Sequence, residues 1–371
     1  MTCDFSKLAV PGVRGLMPYL PGKPLAELER EYGVKNADKL ASNENPLGPS
    51  PRAVEAMSRA LTSVWLYPDG NGFNLKQKLA DVLGVAPQQI TLGNGSSDIL
   101  DFVVRAFVSP DSEVVFSQHA FAVYPILTQM AGATAVVSAA RNWGHDLPAM
   151  RAAVTERTRL VFIANPNNPT GTWLPGTELE AFIRDLPAHV IVVVDEAYFE
   201  YARAPQLKAE GYPNSLDWLE RYPNLVVSRT FSKVYGLAGL RIGYGVSHPQ
   251  LAELLNRVRP PFNVNALALE AAVAALEDTQ HLQRSLAVNS QGMVQLTTGL
   301  GALGLDYIPS VGNFVAVDMG RDAAPIYEAL LHEGVIVRPL ANYQMPQHLR
   351  VTIGSESQNA RVLAALQKVL S

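Results

Sequence analysis

Lys233 lies in the stretch of the chain that offers the clearest covalent chemistry. It follows the apolar run 225–227 and the polar residues 228–232, and Gly236 is the first of several glycines after it. An amine that is partly shielded from water loses some of its preference for the charged form. A neutral amine can attack a carbonyl group and hold it as a Schiff base. The same pattern is compatible with a surface lysine in a turn, so other parts of the sequence must distinguish the two.

Two loops after predicted strands carry groups suited to holding an anion and an amide. The motif GNGSSD at 93–98 leads into a predicted helix, and free N–H groups at a helix start bind phosphate. The motif NPNNPTG at 165–171 is a rigid polar loop that can hold an amide in a fixed position. Each motif is also compatible with an ordinary turn. Ligands of open α/β sheets bind at the carboxyl ends of strands, where both loops are expected.

Asp195 and Arg241 are the charged candidates at the same edge of the predicted sheet. Asp195 ends the apolar run 190–194, where a carboxylate is costly unless it meets a cation or several donors. A protonated ring nitrogen would serve, and so would the start of the next helix, which a carboxylate can cap. Arg241 could hold a phosphate by a bidentate contact or form a surface ion pair.

These features together describe a ligand with a phosphate, a basic ring nitrogen and a carbonyl group for Lys233. Pyridoxal phosphate has all of these parts, and its chemistry uses protein groups for orientation and charge. The residues predicted to contact it are Ser96, Ser97, Asn168, Asp195, Tyr198, Ser232, Lys233 and Arg241.

The elements that must position these residues follow a repeating pattern. Apolar segments predict seven strands, most of them followed by a predicted amphipathic helix. This alternation favours an α/β fold with a largely parallel sheet covered on both faces. The predicted strands are 90–93, 113–116, 134–138, 159–164, 190–198, 225–228 and 241–246.

The pattern changes after Pro249 and predicts a second, smaller α/β domain. A helical region at 250–301 is interrupted near the prolines of 259–265, which prevent a continuous helix. Three strands (313–319, 335–339 and 348–354) and a C-terminal helix (356–370) follow. We therefore expect an N-terminal arm with part of the small domain at 1–45, a large cofactor-binding domain at 46–255 and a small C-terminal domain at 256–371.

Composition excludes several classes of protein. The 371 residues carry a formal net charge of −4, which gives no basic footprint for nucleic acid or an anionic membrane. No apolar run approaches the ~20 residues that a membrane span requires. Cys3 is the only cysteine and the seven histidines lack a ligand spacing, so neither an internal disulfide nor a metal site is expected. With no predicted signal peptide, these features lead us to expect a cytoplasmic protein.

Three motifs resemble the fold-type I pyridoxal-phosphate aminotransferases. They are NPNNPTG at 165–171, DEAY at 195–198 and SKVYGLAGLRIGY at 232–244. Within that group the chain resembles the histidinol-phosphate aminotransferases, of the class II-like subgroup. The segments that carry this closer resemblance are PYLPGKP (18–24), SNENPLGPSP (42–51), YPDG (67–70), VIVRP (335–339) and LRVTIG (349–354).

The resemblance implies a role for each matching residue. Lys233 would form the internal aldimine with pyridoxal phosphate and carry the proton during the reaction. Asp195 would pair with the ring nitrogen, while Asn168 and Tyr198 would contact the ring hydroxyl. The cofactor phosphate would be held by Ser96, Ser97, Ser232 and Arg241, with Tyr67 reaching in from the other subunit of a homodimer. The acidic end of the substrate would be held by Tyr19, Arg338 and Arg350.

One residue departs from the pattern of the family. The residue stacked on the cofactor ring is often a tyrosine, and here Phe121 takes its place within His119-Ala120-Phe121. A phenyl face is sufficient for stacking. The missing hydroxyl bears on the range of substrates, and Tyr124 is a candidate to replace it.

The resemblance implies transamination of L-histidinol phosphate with 2-oxoglutarate, in a ping-pong cycle through Lys233, as a step of histidine biosynthesis. Three alternatives stay open at this point. An aromatic amino-acid aminotransferase of the same fold would use the same arginine and Phe121. A threonine-phosphate decarboxylase would share the scaffold and a phosphate pocket. A cofactor-binding domain of a transcription regulator would need an attached DNA-binding domain, which the 40 N-terminal residues are too short and too weakly basic to supply.

Overall fold

The computed structural model describes residues 3–204, 207 and 209–371. The strands are β1 (Asp38–Lys39), β2 (Ile90–Gly93), β3 (Glu113–Ser117), β4 (Thr134–Ser138), β5 (Thr158–Ala164), β6 (Ile191–Asp195), β7 (Leu225–Thr230), β8 (Gly243–Ser247), β9 (Tyr307–Ile308), β10 (Phe314–Asp318), β11 (Val335–Ile336), β12 (Arg338–Pro339) and β13 (His348–Thr352). The helices are α1 (Phe5–Leu8), α2 (Leu25–Tyr32), α3 (Pro51–Ala60), α4 (Phe73–Leu83), α5 (Ser96–Phe107), α6 (Val123–Met130), α7 (Leu147–Ala152), α8 (Gly176–Arg184), α9 (Phe199–Ala202), α10 (Pro249–Val258), α11 (Ala266–Glu277), α12 (Thr279–Ala302), α13 (Ala324–His332) and α14 (Glu356–Leu370).

The large sheet has seven strands in the order β2-β8-β7-β6-β5-β3-β4. The neighbours from β7 to β4 pair in parallel, whereas β8 runs antiparallel to both β7 and β2. Successive side chains of β6 pack into hydrophobic clusters on opposite faces of the sheet. Val192 and Val194 belong to one cluster and Val193 to the other. A strand buried on both faces reads as a continuous apolar run, which is why the sequence predicts it so clearly. The predicted α/β fold with a mostly parallel seven-stranded sheet is confirmed.

A smaller antiparallel sheet, in the order β12-β13-β10-β9, lies in the C-terminal part of the chain. Its core combines strand residues such as Val315 and Val351 with Leu296 of α12 and Leu366 of α14. The predicted single strand 335–339 is divided in the structure. β11 pairs with β1, and β12 pairs with β13, so the two halves of this segment belong to different sheets. Pro339 has no N–H group to extend the ladder, which is consistent with the shortness of β12.

The predicted helical region 250–301 is three helices, because it is interrupted at Asp278 as well as at the predicted prolines. Asp278 ends α11 and caps α12, since its carboxylate accepts a hydrogen bond from the backbone N–H of His281. Helix α11 packs on α3 and α4 and shares the core of the large sheet. We therefore propose that the large unit extends to about residue 278, beyond the predicted boundary at 255. The remaining predicted domain boundaries stay predictions.

The N-terminal arm crosses the end of α6 before it reaches the cavity described below. Gly12 sits so close to α6 that a Cβ atom there would lie 2.2 Å from the carbonyl oxygen of Gln129. Within the described ranges, no helix has the length and apolar character needed to cross a membrane.

Candidate active site

A cavity opens at the carboxyl ends of β5, β6 and β7, beside the start of α5. Each of these strands ends in a polar loop, so the parallel sheet brings distant parts of the sequence to one edge. The lining residues are Tyr19, Ser42, Asn43, Ser96, Ser97, Phe121, Ala164, Pro166, Asn168, Asp195, Ala197, Tyr198, Thr230, Ser232, Lys233, Arg241 and Arg350. All of the residues predicted for the site are among them except Tyr67 and Arg338.

Lys233 is half-buried in this cavity, two residues beyond the fully buried Phe231 and just before the fully buried Val234. Its Nζ donates a hydrogen bond to the carbonyl oxygen of Ser42 at 3.1 Å. Burial, together with the positive charge of Arg350, lowers the pKa of Lys233 to about 7. A substantial neutral fraction of this amine is therefore present near neutral pH, as nucleophilic or proton-transfer chemistry requires.

Asp195 forms part of the cavity wall and is 5% exposed. Its two oxygens accept hydrogen bonds from the hydroxyls of Tyr124 and Ser228, each at 3.0 Å. Burial raises the pKa of Asp195 to about 6, while these two hydrogen bonds oppose the rise. A protonated ring nitrogen placed against this carboxylate would offset its desolvation.

The start of α5 and Arg241 form the end of the cavity suited to an anion. Ser96 is the first residue of α5, and the N–H groups of a helix start are free to bind an anion. Arg241 contacts the hydroxyl of Ser232 and the carbonyl oxygen of Asn94, both at 3.4 Å. Gly95 has φ of +73°, and a Cβ atom there would lie 2.6 Å from the Arg241 guanidinium. Only glycine leaves this approach to the anion site open.

Two buried arginines lie at the opposite end of the site. Arg350 donates to the Oδ1 atom of Asn168 and to the carbonyl oxygen of Ala41, but its Nε atom has no partner. Burial lowers the pKa of Arg350. The Arg338 guanidinium lies 5.4 Å from the centre of the Tyr19 ring. In the part of the chain that the structure describes, neither arginine has a carboxylate within 4.0 Å.

Asn168 and Tyr198 both line the cavity. Tyr198 is held by Asn43, which was not predicted as a site residue, and Asn168 is held by Arg350, which was predicted only to bind the substrate. The Tyr198 hydroxyl accepts a hydrogen bond from Asn43 at 2.8 Å, and Asn168 accepts from Arg350. Asn43 has φ of +57° and is fixed by Thr352, whose hydroxyl bonds its backbone N–H and its Oδ1 atom. The motif SNENP at 42–46 is the signal that could have identified Asn43. The predicted contact of Asn168 and Tyr198 with a ring hydroxyl stays a prediction.

Phe121 lines the cavity, as predicted for the residue that stacks on the cofactor ring. It packs edge-on against Tyr124, with the ring centres 5.9 Å apart. The Tyr124 hydroxyl donates to Asp195, so it supports the carboxylate rather than standing in the place of a hydroxyl on Phe121.

Tyr67 lies away from the cavity of its own chain. It is 82% exposed, and its ring stacks on Phe262 at 4.8 Å. Trp65 and Leu66 beside it are also exposed, so this segment is an apolar surface. A contribution of Tyr67 to an active site would have to be made to that of another subunit.

The cavity and its fold belong to a known class of enzymes. Residues 36–366 match the family Aminotransferase class I and II. The chain therefore belongs to the class I and II aminotransferases, which are enzymes that depend on pyridoxal phosphate.

Its relatives define the resemblance more narrowly. The chain is 61% identical to histidinol-phosphate aminotransferase 1 of Nitrosococcus oceani over 99% of this chain and 98% of that protein. It is 59% identical to histidinol-phosphate aminotransferase 2 of Pseudomonas aeruginosa, over 99% of both chains. The crystal structure of histidinol-phosphate aminotransferase from Sinorhizobium meliloti in complex with pyridoxal-5'-phosphate superposes with a TM-score of 0.89 at 31% identity, covering 98% of this chain and 97% of that one. The predicted resemblance to histidinol-phosphate aminotransferases is confirmed.

The residues present fit pyridoxal phosphate by the chemistry of their donors and acceptors. Anion donors stand at one end of the cavity, around Gly95 and Arg241, and the buried carboxylate of Asp195 stands on its wall. Lys233 contributes an amine whose lowered pKa suits attack on an aldehyde. Phe121 contributes a flat apolar surface for an aromatic ring.

Proposed function

We propose that this enzyme transfers the amino group of L-histidinol phosphate to 2-oxoglutarate, giving imidazole-acetol phosphate and glutamate, as a step of histidine biosynthesis. The names of the relatives support the reaction. The observation that carries the choice of substrate is the pair of buried arginines, Arg338 and Arg350, which have no carboxylate partner in the described part of the chain.

An uncompensated buried cation is costly, so the two arginines call for an anionic ligand. A phosphate group matches them because it carries up to two negative charges and oxygens that accept from guanidinium N–H groups. The unpaired Nε atom of Arg350 is one donor still available to such a group. Phenylalanine carries a single carboxylate of charge −1, which could offset only one of the two buried arginine charges, so the geometry favours a phosphorylated substrate over a simple aromatic amino acid.

The same pair of arginines must accept both substrates of the proposed reaction. Histidinol phosphate presents a phosphate at the end distant from its amine, and 2-oxoglutarate presents a carboxylate at the end distant from its keto group. The carboxylate is planar and the phosphate is tetrahedral, but a guanidinium group can bind either of them through two oxygens. Tyr19, which packs on Arg338 and lines the cavity, is positioned to shield this contact from water.

When bound, pyridoxal phosphate supplies an aldehyde that takes up amines and a ring that withdraws electrons from the bond to be broken. We propose that Lys233 is the covalent attachment point and then takes and returns the proton of the substrate carbon. Its pKa of about 7 allows both actions near neutral pH. Asp195 would hold the proton on the ring nitrogen. Ser96, Ser97, Ser232 and Arg241 would hold the cofactor phosphate.

We further propose that the enzyme works as a homodimer with shared active sites. Tyr67 is too far from its own cavity to line it, and it belongs to an apolar surface with Trp65, Leu66 and Phe262. Burial of this surface by a second copy would bring Tyr67 toward the partner's cofactor phosphate. A cytoplasmic location is also proposed, because Cys3 is free and the chain depends on no disulfide.

The test is a panel of half-reactions with the holoenzyme. We expect L-histidinol phosphate to bleach the absorbance band of the lysine-bound cofactor, and 2-oxoglutarate to restore it. L-Phenylalanine and threonine phosphate serve as comparison substrates in the same assay. Full turnover with phenylalanine but no bleaching with histidinol phosphate would reject the proposal in favour of an aromatic aminotransferase. Release of carbon dioxide from threonine phosphate would instead indicate a decarboxylase.

A further inference from the structure

His119 links the two parts of the active site that decide which substrate fits. It follows β3, two residues before Phe121, and is 6% exposed. Its Nδ1 atom lies 2.7 Å from the carbonyl oxygen of Tyr343. A carbonyl oxygen can only accept, so Nδ1 must carry the hydrogen and donate it. This hydrogen bond joins the loop that holds Phe121 to a segment 224 residues further along the chain.

Tyr343 belongs to the connection between β12 and β13, the two strands that carry the substrate arginines. This connection, residues 340–347, forms a short turn in which the Tyr343 N–H bonds the carbonyl oxygen of Leu340 at 2.9 Å. Leu340, Tyr343 and Met345 form a buried cluster, and Ala122 packs against it from the Phe121 loop. The connection is thus attached to the Phe121 loop by apolar contact as well as by His119.

One more hydrogen bond joins the same pair of segments, and further contacts fix the position of His119 itself. Gln118 donates to Gln344 at 2.7 Å, next to the His119–Tyr343 hydrogen bond. The His119 ring also packs on Trp143 at 5.4 Å, and Trp143 in turn contacts the ring of His348, the first residue of β13. On its backbone side, the His119 carbonyl oxygen accepts from Asn167 at 3.0 Å.

The Tyr343 side chain lies within the electrostatic reach of the arginines. Burial raises the pKa of Tyr343, and the charges of Arg350 and Arg338 oppose this rise. One residue therefore has its backbone held by His119 and its hydroxyl near the anion-binding end of the site.

We propose that His119 and Tyr343 form a clamp that sets the distance between the Phe121 ring and the arginine pair, and that this clamp makes the enzyme selective for a substrate with a distal phosphate. Both residues act as positioning residues, since neither lines the cavity. The proposal rests on the proposed function, because it concerns the phosphate end of the same substrate.

The test compares L-histidinol phosphate with L-histidinol, which lacks only the phosphate, in half-reactions of the holoenzyme. In His119→Ala we expect the KM for histidinol phosphate to rise about tenfold or more, the loss of one buried hydrogen bond. The reaction of histidinol should change by less than about twofold, since histidinol lacks the phosphate that the arginines are proposed to bind. The absorbance band of the bound cofactor should be unchanged.

A conservative variant separates positioning from packing. The Nδ2 atom of asparagine occupies nearly the position of Nδ1 of histidine, so His119→Asn keeps the donor while it removes the rest of the ring. We expect His119→Asn to recover most of the preference for histidinol phosphate over histidinol that His119→Ala loses. Tyr343→Phe removes the hydroxyl but keeps the backbone carbonyl oxygen that His119 binds, so the KM for histidinol phosphate should stay within about twofold of the wild-type value.

His281 provides the matched control. It is also 6% exposed, its Nε2 atom lies 3.1 Å from the carbonyl oxygen of Gly48, and neither of these two residues lines the cavity. His281→Ala should lower the melting temperature without changing the ratio of the two substrates. The clamp is rejected if His119→Ala weakens both substrates equally, or if His119→Asn does no better than His119→Ala. Absence of turnover of histidinol phosphate by the wild-type enzyme would instead reject the proposed function.

Discussion

Arg338 and Arg350 lie directly opposite each other on the antiparallel strands β12 and β13. Both side chains are buried, at 6% and 5% exposure. Like charges at directly opposite positions of a sheet repel each other, and burial strengthens the repulsion. The fold therefore keeps two cations together where an anion between them would relieve the repulsion, which is the physical basis for the proposed phosphate site.

Removal of one of these charges should affect phosphate binding far more than catalysis. We expect Arg338→Gln to raise the KM for histidinol phosphate by at least ~30-fold, the lower bound for a buried charged contact. The rate with saturating histidinol should stay within about twofold of the wild-type rate. Arg338→Lys should show an intermediate loss, because lysine keeps the charge but not the planar fork. Steady-state kinetics would contradict the assignment if both substrates lost equally.

Lys233 should be the sole covalent attachment point of the cofactor. Sodium borohydride reduces a Schiff base to a stable amine, so the treated wild-type enzyme should retain the cofactor after unfolding. We expect Lys233→Ala to bind pyridoxal phosphate but to release it under the same treatment. Its kcat should fall by about 10²–10⁴-fold, since the proton carrier is lost. Mass spectrometry of the reduced proteins gives the answer, and a covalent adduct in the variant would contradict the assignment.

The lowered pKa of Lys233 predicts how the apoenzyme takes up its cofactor as pH changes. The neutral amine is the nucleophile, so the rate of attachment should increase with pH, with a midpoint near 7, and level off at higher pH. The charge of Arg350 contributes to lowering this pKa. Arg350→Gln should therefore raise the pKa of Lys233 and move the profile to higher pH. Stopped-flow absorbance over a pH series measures both profiles, and a midpoint near the ordinary lysine value in the wild type would contradict the prediction.

Much of the site could be predicted from the sequence because each residue follows a strand of a parallel sheet. The apolar run of β6 places Asp195 at the edge of the sheet, and the run of β7 places Lys233 nearby. Once the strand order is known, their meeting with Asn168 needs no further information. The antiparallel direction of β8 could not be predicted, since an apolar pattern does not indicate which way a strand runs in the sheet.

The contacts that hold the site in shape could not be predicted, although several of the residues that make them were. The Asn43–Tyr198 contact joins residues 155 apart in sequence, and the Arg350–Asn168 contact joins residues 182 apart. Each depends on how the small sheet and the N-terminal segment pack on the large one. Pairwise contacts of this kind leave no periodic signal in either segment. The division of 335–339 between two sheets could not be predicted for the same reason, because it depends on tertiary packing and not on a periodic pattern in the segment.

Tyr124 should strengthen the hold of Asp195 on the cofactor ring. Its hydroxyl is one of two side-chain donors to this buried carboxylate, and a donor to the charged form lowers its pKa. Tyr124→Phe should raise the pKa of Asp195 above its present value and favour the neutral form, which pairs less well with a protonated ring nitrogen. We expect the dissociation constant of pyridoxal phosphate to rise about tenfold or more. Equilibrium titration by absorbance measures it, and Ser228→Ala, which removes the other donor, should act in the same direction.

Tyr67 offers a test of whether two chains share each active site. Lys233→Ala removes the amine of the site and Tyr67→Ala removes the tyrosine side chain. A homodimer of either variant should therefore be inactive or strongly impaired. In a hybrid dimer, the site with the intact Lys233 would receive the intact Tyr67 of the partner chain if Tyr67 acts across the interface. Co-expression with two affinity tags and purification of the hybrid should therefore recover about half of the wild-type activity. If Tyr67 acts within its own chain, the hybrid recovers nothing beyond the activity of the Tyr67→Ala chain, and the exposed position of Tyr67 would need another explanation.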